Sequence, residues 1–588
     1  MKERQTMHGA THFTSPARVL VGGDAEGPVL SARVPLSFWG GLNPATGEIV
    51  DRRHPLCGKN AAGTVLVIPA GRGSCSASGV LYEAIDSNHA PKAILLSQAD
   101  EIIALGAIVA DEILSKRLPV LVLDAEAFER ALRADYAKVN GDGTVTLIQS
   151  SPFDLTSHSK AEDKHLPSAA LQLSDRDKAL LEGAEGPARQ LAMRILVRLA
   201  EVQGARCLID VTRAHIDGCI YTGEATLRFA ETLADLGGQV RVPTTMNAIS
   251  IDQRRWRQQG LDPEWAAKAE RLAMAYVRMG AQPTFTCAPY LLPDPPHLGE
   301  HIAWAESNAV AFANGALGAR TNRYGDFLDI CAALTGRVPC SGYHLDENRL
   351  GTILVELPET GPLDSSFYPI LGYLVGERVQ SGVPVIANLP SRPSPDDFKA
   401  FCAAAATSGS VAMFHIVGIT PEAPTKEHAF GFRPPREHWK VSKDELAACW
   451  KRLSSARSSR VDLVALGNPH FSLEECRQLA DLTRGQQKHR DVEVLITTSR
   501  HVHEKAVQSG LAEEIERFGG RFITDTCFCM IQSPVIPETA HTLMTNSAKY
   551  AHYGPGLAGR EIYFGSLEDC VRSAVTGKPV LSEPRWLK

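Results

Sequence analysis

No run of apolar residues in this 588-residue chain approaches the ~20 that a bilayer span needs. Met1 to Pro16 is polar and lacks the apolar stretch of a secretory signal, so a cytoplasmic location and no membrane partner are expected. Positive charge is not in excess: 61 Lys and Arg against 67 Asp and Glu leave −6. That excludes a basic polymer-binding surface as the main function, and with it nucleic acid as the expected partner. The 13 cysteines include no Cys-x-x-Cys pair, which leaves a zinc ribbon unsupported. Their odd number, without an export signal, argues against a disulfide framework. There is no tandem short-period repeat. What remains is an ordinary globular composition, 44% hydrophobic and 22% charged, in a chain long enough for several domains of ~150 residues.

The first part of the chain is rich in Gly, Pro and β-branched runs. Short apolar strands are predicted at Ala61–Pro69, Pro91–Leu96 and Leu118–Leu123, with helical spacing over Val80–Ile85 and a helix-like segment over Asp100–Lys116. This reads as a compact α/β domain over residues 1–149. Residues 150–173 turn polar and read as an interdomain linker and hinge. Ser174 is the N-cap candidate of a helix with an acidic first turn. From 174 to 588, helices alternate with short apolar strands, including one at Gln239–Val242, which predicts a large layered α/β domain.

Several segments are candidates for chemistry. Arg72-Gly73-Ser74-Cys75-Ser76 links a strand to a helix. Its free backbone N–H groups suit an anion, and its glycines equally suit a plain tight turn. His215 and Asp217 sit near a strand end, either facing one cleft or forming a turn at Gly218. Thr245 and Asn247, in a polar loop, are hydrogen-bonding candidates. Cys287, Cys340 and Cys527 lie in loop or strand-end contexts, where metal ligands converge; Cys529 rivals Cys527, and Cys219 is another alternative. Asn308 lies in a tightly packed helix, and Arg320 and Arg323 after it suit a carboxylate or the helix dipole. Ser499-Arg500 and Asn546 to Lys549 are further polar segments, the latter leading to a loop at Gly554-Pro555-Gly556. Cys75, at a helix start, is an alternative thiol nucleophile.

Taken together, these blocks resemble the aconitase X family. Pro69 to Ser76 is similar to its small-domain signature. His215-Ile216-Asp217-Gly218, Ala303 to Val310, Gly318 to Arg323 and Thr524 to Cys527 are similar to its large-domain blocks. The resemblance implies an aconitase-like fold, with a small N-terminal swivelling β/α domain before the large layered α/β catalytic domain. The fused order is similar to the bacterial branch that dehydrates cis-3-hydroxy-L-proline. It implies a hydro-lyase with an iron–sulfur cluster of 2Fe–2S type, or a mononuclear iron, held by Cys287, Cys340 and Cys527.

On that resemblance, Ser74 is the base that removes the α-proton, with Arg72 and the turn amides stabilising its alkoxide. His215 delivers a proton to the departing hydroxyl and Asp217 orients it. Ser76, Thr245, Asn247, Asn308, Arg320, Ser499, Arg500, Asn546 and Lys549 surround a small amino-acid-like substrate. Monomer or small homo-oligomer is the expected state. The alternatives are a mevalonate 5-phosphate dehydratase or other small hydroxy-acid dehydratase, an RNA-binding regulator, and a thiol or zinc enzyme built on Cys75.

Overall fold

The computed structural model describes residues 11–150 and 170–588, so all but the ends of the expected linker lies outside the described residues. The N-terminal unit is built on an eight-stranded mixed sheet in the order Thr11–Pro16, Thr144–Gln149, Tyr136–Val139, Ala25–Ser31, Val65–Ile68, Ala93–Leu96, Val120–Val122, Arg18–Val21. Its four central strands, Ala25–Ser31 to Val120–Val122, are parallel. Val65–Ile68 and Ala93–Leu96 are buried throughout, as parallel strands covered on both faces must be. Because side chains alternate across a strand, Leu66, Ile68, Ile94 and Leu96 enter one core, and Val65, Val67, Ala93 and Leu95 enter the core on the other face.

The first of these cores does not stop at the small domain. It takes in the helices Ala77–Asp86 and Glu101–Val109 and runs on into Pro187–Gln203 and Leu328–Thr335. Tyr82 of the small domain meets Phe327 of the large one edge-on, with ring centroids 5.3 Å apart. Glu101 is hydrogen-bonded by Gln203 at 2.6 Å, and Glu112 pairs with Arg194 and Arg198.

The region expected to be one large domain holds three sheet-centred units. A three-stranded parallel sheet orders Thr244–Met246, Ala214–Ile216 and Ala303–Trp304, with an antiparallel ribbon of Leu208–Asp210 and Arg337–Pro339 beside it. A four-stranded parallel sheet follows, His415–Ile416, Pro384–Ala387, Ile353–Glu356, Glu437–Lys440. The last is a five-stranded parallel sheet, Gly520–Thr524, Glu493–Thr498, Leu463–Phe471, Thr542–Thr545, Glu561–Phe564.

Two local expectations are corrected. Gln239–Val242 is not a strand; pairing begins two residues on, at Thr244, after Pro243. Gly554-Pro555-Gly556 is not an open loop but the last turn of the helix Ala548–Leu557. Proline is tolerated there because only one turn remains. Gly554 is needed because a Cβ would stand 2.3 Å from Ile562 Cδ1 on the underlying strand. The Ser174 cap is present, as a capping box with Asp177.

Where the described chain re-enters the fold, Asp177 is buried and takes two hydrogen bonds from Arg337, at 2.8 and 3.0 Å. Removing Asp177 leaves the buried Arg337 guanidinium with only the exposed Asp210 carboxylate, at 3.0 Å, and the Leu208 carbonyl as partners. Asp177→Ala is therefore expected to cost about 3 kcal/mol, read as a lower denaturant midpoint at unchanged slope.

Candidate active site

In the small unit and in the first and last large units, the candidate residues follow the carboxyl ends of parallel strands, where ligands bind in open α/β sheets. Ser74 follows Val65–Ile68, Asp217 follows Ala214–Ile216, Asn247 follows Thr244–Met246, and Glu306 follows Ala303–Trp304. Cys527 follows Gly520–Thr524, and Lys549 follows Thr542–Thr545. The polypeptide thereby collects polar side chains from distant parts of the chain at one junction.

The Ser74 turn is docked onto the large domain. Gly73 has φ +85°, and a Cβ there would stand 2.7 Å from Tyr553 Oη, so the turn needs glycine for both conformation and space. The Gly73 carbonyl accepts a hydrogen bond from the Arg323 guanidinium. The Cys75 amide donates to Ser307 Oγ at 3.3 Å, and the Cys75 thiol lies 3.2 Å from the same oxygen. Ser74 Oγ accepts the Ser76 amide at 3.3 Å and donates to Ser76 Oγ at 3.3 Å. Arg72 is paired with Asp51 at 2.7 Å. The Nε groups of Arg72 and Arg323 are both buried without a partner, leaving two guanidinium N–H donors free for an anion at this turn.

Beneath the turn lies a floor of carboxyls. Asn247 bridges Asp217 and Glu306. Burial, then Asp326 and Glu306, push the Asp217 carboxyl well above its usual range; burial and Asp329 do the same to Asp326. Burial also pushes Glu306 up, but the Lys549 ammonium, 3.1 Å away, and the Asn308 amide outweigh it and hold Glu306 low. Asn308 is spent on this architecture, receiving Tyr290 Oη and donating to Glu306 and to the Cys287 carbonyl.

Three thiols gather on the other side of Lys549. Cys527 has Cys287 and Cys529 as its thiol neighbours, and their hydrogen bonds hold it well below the ordinary thiol range. The His470 amide donates to Cys287 Sγ at 3.3 Å and the Asn468 amide to Cys529 Sγ at 3.0 Å. Burial pushes Lys549 down, but Glu306 and the three cysteines more than restore it. Tyr553, one helical turn after Lys549, feels Lys549 and Cys529 as well as Arg72 and Arg323, and so joins the thiols to the Ser74 turn. A cavity of about 710 Å³ opens beside them between the two domains, with Trp39, Leu42 and Val80 on one wall, Tyr221 and Trp265 on the other, and Cys529 at its edge.

Family models cover the chain in four successive blocks: the aconitase X swivel domain over residues 14–147, and the first, second and third aconitase X domains over 170–347, 351–451 and 461–576. Cis-3-hydroxy-L-proline dehydratases of Pseudomonas aeruginosa and Hypocrea jecorina are both 52% identical to it, over 98% and 96% of this chain and 99% and 96% of theirs. The chain belongs to the aconitase X family. The crystal structure of Thermococcus kodakaraensis aconitase X (holo-form) superposes with a TM-score of 0.62 at 34% identity, covering 69% of this chain and 100% of its own.

Within this aconitase X chain, several expected site residues lie elsewhere. Cys340 is not with Cys287 and Cys527: it closes the small antiparallel ribbon, where its amide bonds the Cys207 carbonyl at 2.9 Å and its thiol neighbours Cys207. Cys529 takes its place, because the chain bends into a 3-10 turn at Phe528 and brings both thiols of Cys-x-Cys to one point. Cys219 is turned onto the carbonyls of Ile216 and Asn247. Arg320 is committed to Asp346 and the His344 carbonyl. Arg500 is committed to Asp525, at 2.6 and 2.9 Å, two residues before Cys527. Ser499 caps its helix by accepting the Val502 amide. Asn546, by contrast, stays at the site, lining a pocket of about 80 Å³ with Lys549 and with Asn468, the donor to Cys529.

Asp217 does not orient His215; Thr245 does, at 2.8 Å from Nδ1. Cys75 is buried, which pushes its thiol up to about 12 and removes it as a thiolate nucleophile. The sequence reading missed Glu306, Ser307, Asp326 and Tyr553 as site residues. The Lys549–Tyr553 spacing of four was the available signal for the last.

The thiols fit a thiophilic centre. They are buried beside the Lys549 ammonium; the hydrogen bonds of Cys287 and Cys529 favour thiolate at Cys527, while burial pushes the Cys287 thiol up and the hydrogen bond to Cys527 pushes the Cys529 thiol up. Among the described residues no three His, Cys, Asp or Glu side chains converge as a metal-binding group; Cys287 and Cys529 are both hydrogen-bonding neighbours of Cys527.

Burial of His215 lowers its pKa to about 4, so the ring is neutral at pH 7 and is no cationic acid there. A depressed histidine pKa contributes stability that is complete above its unfolded value near 6.5 and is lost as pH falls toward 4. Wild type should lose up to about 3 kcal/mol more than His215→Gln between pH 7.5 and 4, measured by urea unfolding.

Proposed function

We propose that this chain is a hydro-lyase that converts cis-3-hydroxy-L-proline to Δ1-pyrroline-2-carboxylate. The observation that carries this reading is 52% identity over nearly the whole length to enzymes named for that dehydration, together with a serine turn, free guanidinium donors and a thiol trio at one interdomain junction. With all 13 cysteines unpaired and no described helix long and apolar enough to cross a membrane, the enzyme is proposed to act in the cytoplasm on a small amino-acid substrate.

The residues divide the work as follows. The Nε groups of Arg72 and Arg323 hold the substrate carboxylate. That places C2 against Ser74, whose Oγ already receives one backbone N–H and so is prepared to carry negative charge. Ser74 removes the C2 proton from the ring face opposite the hydroxyl. Cys287, Cys527 and Cys529 hold an iron–sulfur cluster of the 2Fe–2S type, which when bound supplies Lewis acidity toward the 3-hydroxyl. Lys549 balances the negative charge of the thiols and of Glu306. The enamine product tautomerises in solution.

Phosphomevalonate dehydratase is a second reading. The large subunit of that enzyme from Methanocaldococcus jannaschii is 36% identical, over 68% of this chain and 100% of its own. Against it, Arg320 and Arg500 are consumed in ion pairs, which leaves fewer cations for a substrate that carries a phosphate besides its carboxylate.

The test is anaerobic purification, assay of iron and acid-labile sulfide, and a panel of hydroxyproline isomers and mevalonate 5-phosphate. Water loss confined to cis-3-hydroxy-L-proline is expected; turnover of the phosphorylated acid instead would reverse the assignment. Ser74→Ala should lose at least about 10³-fold in kcat while keeping the visible absorbance of the cluster. Retained activity would remove Ser74 from the reaction.

A further inference from the structure

Ser76 occupies the N-cap of the helix Ala77–Asp86 yet caps nothing: its side chain accepts no amide from the first turn. Serine at this position ordinarily satisfies one of the free amides. Here its hydroxyl, 2% exposed, lies between two other groups. It accepts from Ser74 Oγ at 3.3 Å and acts electrostatically on the Asp326 carboxyl, which is held against this turn by the Asp326 amide donating to the Cys75 carbonyl at 3.4 Å and by Ser78 Oγ donating to the Asp326 carbonyl at 3.2 Å. The next neighbour of Asp326 is Asp217. Both carboxyls are buried, and Asp217 Oδ2 and Asp326 Oδ1 have no conventional donor. Two adjacent carboxyls with orphan oxygens can pair only through a proton, since both cannot stay ionised side by side in the interior.

The remaining groups around them do not supply that proton. Asp329 faces the pair but accepts the amides of Asp217 and Gly218. Glu306 is held by Lys549 and Asn308. Tyr276 Oη donates to the Gly218 carbonyl, Arg323 reaches away to Gly73, and Cys75 and Cys219 are buried thiols held by Ser307 and by backbone carbonyls.

We propose that Ser76, Asp326 and Asp217 form a proton relay that deprotonates Ser74 for each turnover. The inference rests on the reading of Ser74 as the base and deepens it. In the chemical step the C2–H bond breaks, its proton joins the Ser74 alkoxide, the electron pair forms C2=C3, and the C3–O bond breaks. Ser74 then passes its proton to Ser76 as Ser76 passes its own to the Asp326 carboxylate, and the pair, which held one proton, now holds two. One leaves to solvent, balancing the proton that the departing hydroxide takes up to become water. Ser76, Asp326 and Asp217 act through Ser74 and are positioning residues in this scheme. Burial raises both carboxyl pKa values, helped at Asp217 by Asp326 and Glu306 and at Asp326 by Asp329, so an ionised member of the pair accepts a proton readily.

Ser76→Ala is the decisive variant, because the hydroxyl contributes no cap and the helix should fold without it. With cis-3-hydroxy-L-proline, kcat is expected to fall about 10²-fold, with KM within about threefold and with melting temperature and iron content unchanged. The wild-type kcat should decline on the acid side as the pair fills, and that limb should be missing from the residual rate of Ser76→Ala. The isosteric Asp326→Asn should behave alike; if it does not fold, Ser76→Ala alone decides. A Ser76→Ala enzyme with wild-type kcat and the same acid limb overturns the relay and leaves the dehydration standing. A wild-type enzyme that releases no water from the substrate overturns the dehydration, and the relay with it.

Discussion

A single ammonium, largely withdrawn from solvent, organises the centre of this molecule. Lys549 lies between the Glu306 carboxylate and the thiols of Cys287, Cys527 and Cys529. Removing a cation from water costs several kcal/mol unless opposite charge surrounds it. Here the carboxylate and the sulfurs do so, and the same attraction adds to the hydrogen bonds of Cys287 and Cys529 that lower Cys527. Without Lys549, three thiols and a carboxylate packed in one interior would each be pushed toward the neutral, protonated form, which binds metal poorly. The cation and the sulfurs therefore stabilise one another, and the helix Ala548–Leu557 that carries Lys549 also fixes their position.

The same helix couples the two domains. Tyr553 lies one turn beyond Lys549 and stands where a side chain on Gly73 would have to be. The small domain reaches this point on the turn after Val65–Ile68, secured by the hydrogen bonds of Arg323 and Ser307. Behind the turn, the apolar core continues from Leu66 and Leu81 into Leu196 and Leu328. The reactive turn is thus held by a few polar contacts in front of a large apolar junction. The contacts at the turn itself are those most easily exchanged for a ligand.

Much of the strand framework was readable along the chain. The apolar runs at 65–68 and 93–96 have no polar alternation, which is how strands covered on both faces appear. The Ser174 cap carried its own signal in the acidic residue three positions on. Gly554-Pro555-Gly556 misled because proline and glycine mark turns in general, whereas here a strand packs so closely beneath the helix that only glycine fits. Cys340 misled because its loop context matched that of a ligand, while its neighbour in space, Cys207, lies just before the strand Leu208–Asp210, far away in sequence.

Local sequence thus determined where chain segments form strands and helices, which turn places Ser74 at a helix start, and, through family resemblance, which chemistry to expect. These features depend on neighbours a few residues apart, through periodicity, caps and glycine conformation. Only the tertiary structure decided that Cys529 and not Cys340 completes the thiol trio, that Arg323 rather than Arg320 serves the turn, and that Asp326 lies beside Asp217. Those choices depend on direction: which way a side chain points once five sheets are packed, and which charge lies across a junction from it. Residues hundreds of positions apart meet there, and pairwise distance in space, which sets every electrostatic term, is not written in their spacing along the chain.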